Sequence, residues 1–234
     1  PQGGIASPLL ANLTLDGLEA AIRAVINPRR DKVNFIRYAD DFIVTAARPE
    51  ILHQQVKPVI TQFLAERGLR LSEEKTRVTH IEEGFNFLGQ NVRKHGSKLL
   101  ITPTRQSIRH VLEKARELIR SCHGHNAATL IRRLNPVLRG WANYHRHVVS
   151  KRIFNRVEYY LRQMLWRWAH RQHPGKSRGW IQRRYFSADE SGRFSTRVPD
   201  QEGKLQWKKI YSVARTIIER HIKVKGPTNP YHHT

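Results

Sequence analysis

Cysteine is almost absent from this chain: Cys122 is the only one in 234 residues. No internal disulfide can form, a zinc site built on several thiolates is excluded, and redox chemistry is disfavoured. Long apolar runs are missing as well. No stretch approaches the ~18 apolar residues of a membrane span, and the first residues have neither the charged start nor the apolar core of a secretory signal. A soluble, cytoplasmic-type protein without a membrane partner is expected. Internal repeats, low-complexity tracts, Gly-rich phosphate loops and nucleophile elbows are not found. Negative charge is scarce: 19 Asp and Glu face 42 Lys and Arg, a formal net charge of +23.

The excess is unevenly placed. Residues 1–99 hold 14 Lys and Arg against 11 Asp and Glu, whereas residues 100–234 hold 28 against 8. Two functional regions are implied, in a chain long enough for one large or two small domains at ~150 residues each. A surplus of this size repels itself, and a polyanion whose counterions it displaces is the commonest reason to keep it. A solvated basic surface and an anionic membrane face are the blander accounts. All five tryptophans, Trp141, Trp166, Trp168, Trp180 and Trp207, lie in the basic half, where they suit either a core or base stacking.

Periodicity divides the chain in the same way. Ser7-Pro8 reads as the cap and first residue of a helix whose buried face is Leu9, Leu10, Leu13, Leu18, Ala21 and Ile22. Residues 33–47 read as strand, tight acidic turn and strand, a hairpin with Asp40 and Asp41 at its tip. Residues 50–67 read as a helix ended by Gly68, followed by short strands at 76–81 and 85–93. From Thr104 the period is helical, with Ile108, Val111, Leu112, Ala115, Leu118 and Ile119 on one face. A second helix is expected over 127–147, kinked or broken at Pro136. A third, over 151–170, has an apolar side of Ile153, Phe154, Val157, Tyr160, Leu161, Met164, Leu165 and Trp168 and a cationic side elsewhere. Residues 173–204 read as loops and a small hairpin with a turn at 189–192, and 206–222 as a last helix before the Gly226-Pro227 and Asn229-Pro230 turns.

Tyr38-Ala39-Asp40-Asp41 is the most specific chemical feature. Two adjacent carboxylates on a hairpin tip repel each other and make sense if a divalent cation neutralises them, although an ordinary Asp-Asp turn is the structural alternative. Neighbouring strand residues point to opposite faces, so one carboxylate reaches a shared metal fully; Asp40 is taken as that one and Asp41 as auxiliary. Cys122-His123-Gly124-His125, His145-Arg146-His147 and His232-His233 put possible ligands close together, but no second pair stands at zinc-finger spacing.

The hairpin has company in order along the chain: Pro1-Gln2-Gly3-Gly4, Ser7-Pro8-Leu9-Leu10-Ala11-Asn12, then Leu71-Ser72-Glu73-Glu74-Lys75-Thr76 and Phe85-Asn86-Phe87-Leu88-Gly89. This set resembles the reverse-transcriptase palm. Leu138-Arg139-Gly140-Trp141-Ala142-Asn143-Tyr144-His145-Arg146 resembles the maturase region of group II intron reverse transcriptases, and CRISPR-associated reverse transcriptases share the likeness. The resemblance implies an α+β protein: a partial polymerase palm over 1–100, a helical thumb/maturase region over 101–172 and a basic extension over 173–234.

It also implies roles. Asp40, with Asp41, would hold magnesium in a two-ion site for nucleotidyl transfer onto a DNA primer along an RNA template. Gln2, Gly3, Tyr38 and Lys75 would bind the incoming dNTP, and Phe87, Leu88 and Gly89 would form the primer grip. The same residues also read as a surface lysine and a buried strand. Arg132, Arg133, Arg139, Arg146, Arg152, Arg156 and Arg162 would contact template-primer or group II intron RNA through phosphates and 2′-hydroxyls. Trp141 and Tyr144 are expected to join helices rather than stack on bases. The family's further catalytic aspartate lies upstream of the Pro-Gln-Gly-Gly segment, so the expectation is a fragment lacking the fingers and that carboxylate, inactive alone, with a companion fingers segment among its candidate partners. A nucleic-acid-associated protein of the bacterial cytoplasm is implied. A non-catalytic maturase remnant that assists intron splicing is the alternative.

Overall fold

The computed structural model describes residues 7–186 and 192–220. Gln2 and Gly3, most of the 189–192 turn, and the terminal Gly-Pro, Asn-Pro and His-His pairs lie outside them. The chain divides into two compact units, 1–79 and 80–234. Helices and small antiparallel sheets are mixed, which makes the fold α+β.

In the first unit, helix α1 (Ser7–Thr14) is followed by α2 (Leu18–Val25) and the short α3 (Pro28–Asp31). The expected single helical face is not formed. Leu18 and Ile22 are buried, but Leu9, Leu10 and Leu13 are 62%, 59% and 64% exposed. The reason is Gly17, in left-handed backbone at φ 85°, which ends the register after α1 and starts α2 afresh. Strands β1 (Asn34–Tyr38) and β2 (Asp41–Thr45) pair as the expected antiparallel hairpin. The next helix is α4 (Pro49–Ile51), a π turn (Leu52–Val56) and α5 (Lys57–Ala65), stopping before Gly68 as expected. Its Ile51, Val56, Ile60, Phe63 and Leu64 close the core with Leu15, Leu18 and Ile22, and Phe35, Phe42 and Val44 of the hairpin pack on it.

In the second unit, β3 (Phe85–Phe87), β4 (Gln90–His95) and β5 (Lys98–Pro103) form one antiparallel sheet. The expected strand at 76–81 is absent; those residues are irregular, and the sheet instead gains β5. Helix α6 (Arg105–Ser121) starts at Thr104, whose hydroxyl accepts from the Ser107 N–H at 3.0 Å. Helix α7 (Ala127–His145) runs through Pro136 without the break that is one of the two outcomes expected there. Helix α8 (Lys151–Gln172) buries Phe154, Val157, Leu161, Leu165 and Trp168 against Val111, Ala115 and Ile119 of α6 and Leu130, Ile131, Leu134, Leu138 and Ala142 of α7. Each fully buried Leu, Ile or Phe contributes ~1.5–3 kcal/mol, so three long stripes make a substantial core.

Two expectations for the C-terminal region are corrected. Residues 178–185, read as loop, form helix α9 (Arg178–Tyr185), capped by Ser177 and anchored by buried Ile181 and Tyr185; the density of Gly and Arg hides its period. The expected helix at 206–222 is not formed among the described residues. Strands β6 (Ser195–Pro199) and β7 (Leu205–Lys209) make a hairpin, and residues 210–216 follow as an irregular strap. Side chains take the strap's backbone groups before a helix can: Asn135 donates to the Lys209 carbonyl and accepts from the Tyr211 N–H, Lys151 donates to the Ala214 carbonyl, and Glu158 accepts from the Ala214 N–H. Ile210 and Val213, three apart, are buried under it and mimic a helical stripe in the sequence.

Candidate functional site

The acidic hairpin is a two-residue turn. Tyr38 faces Asp41 across the ladder, so Ala39 and Asp40 are the loop and Asp41 is the first residue of β2. Ala39 is at φ 53°, which L residues rarely adopt and which a tight hairpin demands. Arg37 braces it, donating to the Ala39 carbonyl at 3.2 Å and to Asn12 Oδ1 of α1 at 3.0 Å. Arg37 does not stand out in the sequence, because a basic residue two before a hairpin loop is too common a signal; Asn12 stands out only as part of a motif, with no partner assigned. The far end of the hairpin is tied to α3, where the Ala47 N–H reaches the Asp31 carbonyl at 3.0 Å. Asp31 is buried; its bond from Arg30, then the Asn27 N–H, hold its carboxyl below the usual carboxylate range.

Asp40, Asp41 and Tyr38 are exposed, and Lys75 is exposed on a turn. Asp40 and Asp41 make no ion pair among the described residues, and no third Asp, Glu, His or Cys joins them there. Two unpaired hard-oxygen donors at solvent fit magnesium, which binds through one or two carboxylates and fills its remaining positions with water and substrate phosphates.

In the second unit, Phe87, Leu88 and Gly89 sit at the β3–β4 turn. Leu88 and Gly89 are its two loop residues, both at positive φ, 48° and 72°. The hydroxyl of Tyr144 donates to the Leu88 carbonyl at 2.6 Å and fixes that turn to the end of α7.

The 138–146 segment is largely a packing hub. Leu138 and Ala142 are buried, Trp141 packs edge-on to Phe154, and its N–H donates to Ser107 Oγ at 2.9 Å. That oxygen lies 2.9 Å from Nε2 of His145, a ring wholly inside the protein whose pKa burial lowers to about 4. Nδ1 of His145 is buried with no partner among the described residues. Arg146 pairs with Glu219, and Arg139 lies 5.5 Å over the Tyr211 ring. The expectation that Trp141 joins helices therefore holds, whereas Tyr144 ties α7 to the β3–β4 turn rather than to another helix, with half its side chain in solvent.

The remaining cations form faces. Arg132, Arg133, Arg139, Arg152, Arg156 and Arg162 are exposed and Arg146 is half-buried. Arg152 and Arg156 stand one turn apart on α8 and continue into Tyr160, Gln163, Arg167 and Arg171 at helical spacing. Tyr160, expected on the buried side, is 41% exposed with Arg156 5.9 Å above its ring. Arg162 turns the other way, donating to the Gly192 carbonyl at 2.9 Å and lying over Phe186. Arg133 faces the sulfur of Cys122.

The structure thus presents an acidic hairpin in one unit and a helical bundle with cationic faces in the other. Residues 1–92 match the family described as reverse transcriptase (RNA-dependent DNA polymerase), and residues 108–186 match the group II intron maturase-specific domain. The chain is therefore similar in its first part to reverse transcriptases and in its second to the maturase-specific domain of group II introns. Protein YkfC of Escherichia coli strain K12 is 28% identical over 129 residues, 42% of this chain and 33% of that protein. Group II intron-encoded protein LtrA of Lactococcus lactis subsp. cremoris is 36% identical over 62 residues, 26% of this chain and 10% of that protein. The matches thus span a third or less of these relatives' length. No helix among the described residues is long and apolar enough to cross a membrane.

Proposed function

We propose that this chain serves a group II intron through its RNA, with the second unit as the RNA-binding part and the hairpin of the first unit as part of an RNA-directed DNA polymerase site. The observation that carries the reading is the division of α8: one side fills the core, while Arg152, Arg156, Arg167 and Arg171 stand in solvent. Side chains so placed meet phosphates along an RNA surface without reading the deep groove of an A-form helix.

At the hairpin, Asp40 and Asp41 would hold magnesium, which when bound supplies Lewis acidity toward a primer 3′-hydroxyl and a leaving pyrophosphate. Arg37 keeps the Ala39–Asp40 loop in its strained shape, so the Asp40 carboxylate is positioned before substrate arrives. Tyr38, exposed at the end of β1, offers a flat ring to a primer end or dNTP. Lys75 is a mobile point charge suited to a triphosphate. Gln2 and Gly3 complete the dNTP contacts, and the Leu88–Gly89 turn, fixed by Tyr144, forms the primer grip.

RNA binding by the chain, measured against salt, tests the first part: log affinity should fall linearly with log salt, and a flat line refutes it. Asp40→Asn tests the second. It should leave RNA affinity unchanged while removing magnesium-dependent dNTP addition from a preparation that extends a primer. If extension survives, the hairpin is an ordinary turn. A role confined to intron RNA binding and splicing is favoured by how little of the cationic surface involves the hairpin; splicing rescue indifferent to Asp40→Asn would establish it.

A further inference from the structure

Between α6 and α8 lies a trough of about 480 Å³ lined by Leu112, Arg116, Tyr159, Tyr160, Met164 and Arg167. A second of about 520 Å³ adjoins it, sharing Gln163 and Arg167 in its lining and adding Trp166, His170, Arg171 and Arg178. No carboxylate among the described residues lines either one. Arg116, Arg167 and Arg178 make no side-chain hydrogen bond or ion pair among the described residues, so their charge is not spent within the protein. The rings of Tyr159 and Tyr160 are 59% and 41% exposed, 5.6 Å apart and nearly perpendicular. A cavity of this size suits a small ligand or a single nucleotide. Flat exposed rings beside unpaired guanidinium groups, over a floor of Leu112 and Met164, are what an unstacked base and its phosphate require.

We propose that this trough holds an unpaired stretch of RNA. One base stacks on the tyrosine pair, the Gln163 amide faces its edge, Arg116 and Arg167 meet the flanking phosphates, and the strand continues toward Arg171 and Arg178. A duplex offers no unstacked base to the tyrosine pair, because its bases are stacked on one another. The proposal rests on the RNA-binding reading and deepens it, assigning an unpaired strand to the part of the α8 face that holds Arg167 and Arg171.

The test compares two probes on the same chain: a single-stranded RNA dodecamer carrying 2-aminopurine, and a blunt RNA duplex. Wild-type chain should bind both, with 2-aminopurine fluorescence quenched on stacking. Tyr160→Leu should weaken the dodecamer about tenfold and abolish quenching, leaving duplex affinity unchanged. Arg167→Gln should reduce the salt slope for the dodecamer by about 0.7. Gln163→Glu, which brings a carboxylate into the trough from an exposed position, should weaken the dodecamer without altering the melting temperature. If these variants leave dodecamer binding intact while duplex still binds, or weaken both probes equally, the trough is not the site, although the chain remains an RNA binder. If wild-type chain binds neither probe, the RNA-binding reading itself falls and the trough with it.

Discussion

In the first unit three leucines of α1 stand in solvent and the core is one cluster beneath a two-stranded hairpin; in the second, three long helices bury their apolar stripes almost completely. Charge divides the same way. Residues 1–79 hold 11 Lys and Arg against 9 Asp and Glu, and residues 80–234 hold 31 against 10. The unit with the stronger core tolerates the larger self-repulsion, because its arginines project outward from helices whose opposite sides are already satisfied. The other unit keeps near-neutral charge and presents two carboxylates on a braced turn. On the proposed reading, one surface attracts a polyanion over a broad area and the other holds a cation at a point.

Salt should separate the units most strongly. RNA affinity should fall on the order of 10³-fold between 50 and 200 mM salt if six or more phosphates are engaged. The pair Arg152→Gln and Arg156→Gln should reduce the slope by up to about two, whereas neutralising Lys75 should change it little. An equal effect from both would erase the electrostatic difference between the units.

Packing gives the next contrast. Leu134→Ala, at a fully buried position of α7, should cost about 2–5 kcal/mol in urea unfolding. Leu13→Ala on α1 should stay within about 0.5 kcal/mol. A loss at Leu13 comparable to that at Leu134 would mean that α1 is covered in solution.

The third contrast is in pH. His145 is held neutral in the folded second unit, with a pKa of about 4 against 6.5 when unfolded. Stability is therefore full above pH 6.5 and lost as pH falls toward 4, on the order of 3 kcal/mol in all. Urea unfolding at pH 7 and pH 5 reads the change, and His145→Gln should flatten it. In the first unit Asp31 has its pKa lowered instead, so its contribution is complete above the ordinary carboxylate range and is lost only as pH drops below that. On acidification the second unit should weaken first.

The smallest effect belongs to the hairpin loop. Ala39→Gly removes the side chain from a left-handed position and should stabilise the first unit by up to about 1 kcal/mol in thermal unfolding. A loss would show that the Ala39 methyl group is held by contacts that outweigh the backbone strain.

Much of this was legible in the chain itself. The hairpin over 33–47 and the helices at Thr104 and 151–170 follow from local pattern, because strict alternation and a 3.6-residue stripe each admit few folded solutions. The failures share one cause. Leu9, Leu10 and Leu13 carry a helical pattern, but a break at Gly17 turns them outward; residues 206–222 carry one too, but Asn135, Lys151 and Glu158 take the backbone groups a helix needs. Tyr160 fits the apolar stripe of α8, yet lies at its edge, where the neighbouring helix leaves a trough.

Composition and the order of short motifs were enough to point to a polyanionic partner, to the reverse-transcriptase and maturase families, and to Asp40, because these depend on residue identity and spacing alone. Contacts between residues far apart in the chain decided the rest. That Arg37 braces the acidic loop from Asn12, that Tyr144 pins the Leu88 turn, that Arg146 is engaged by Glu219 while Arg167 is left to solvent, all depend on which surfaces meet after folding. Charge is a property of a residue, but whether that charge is available to a partner is a property of its neighbours.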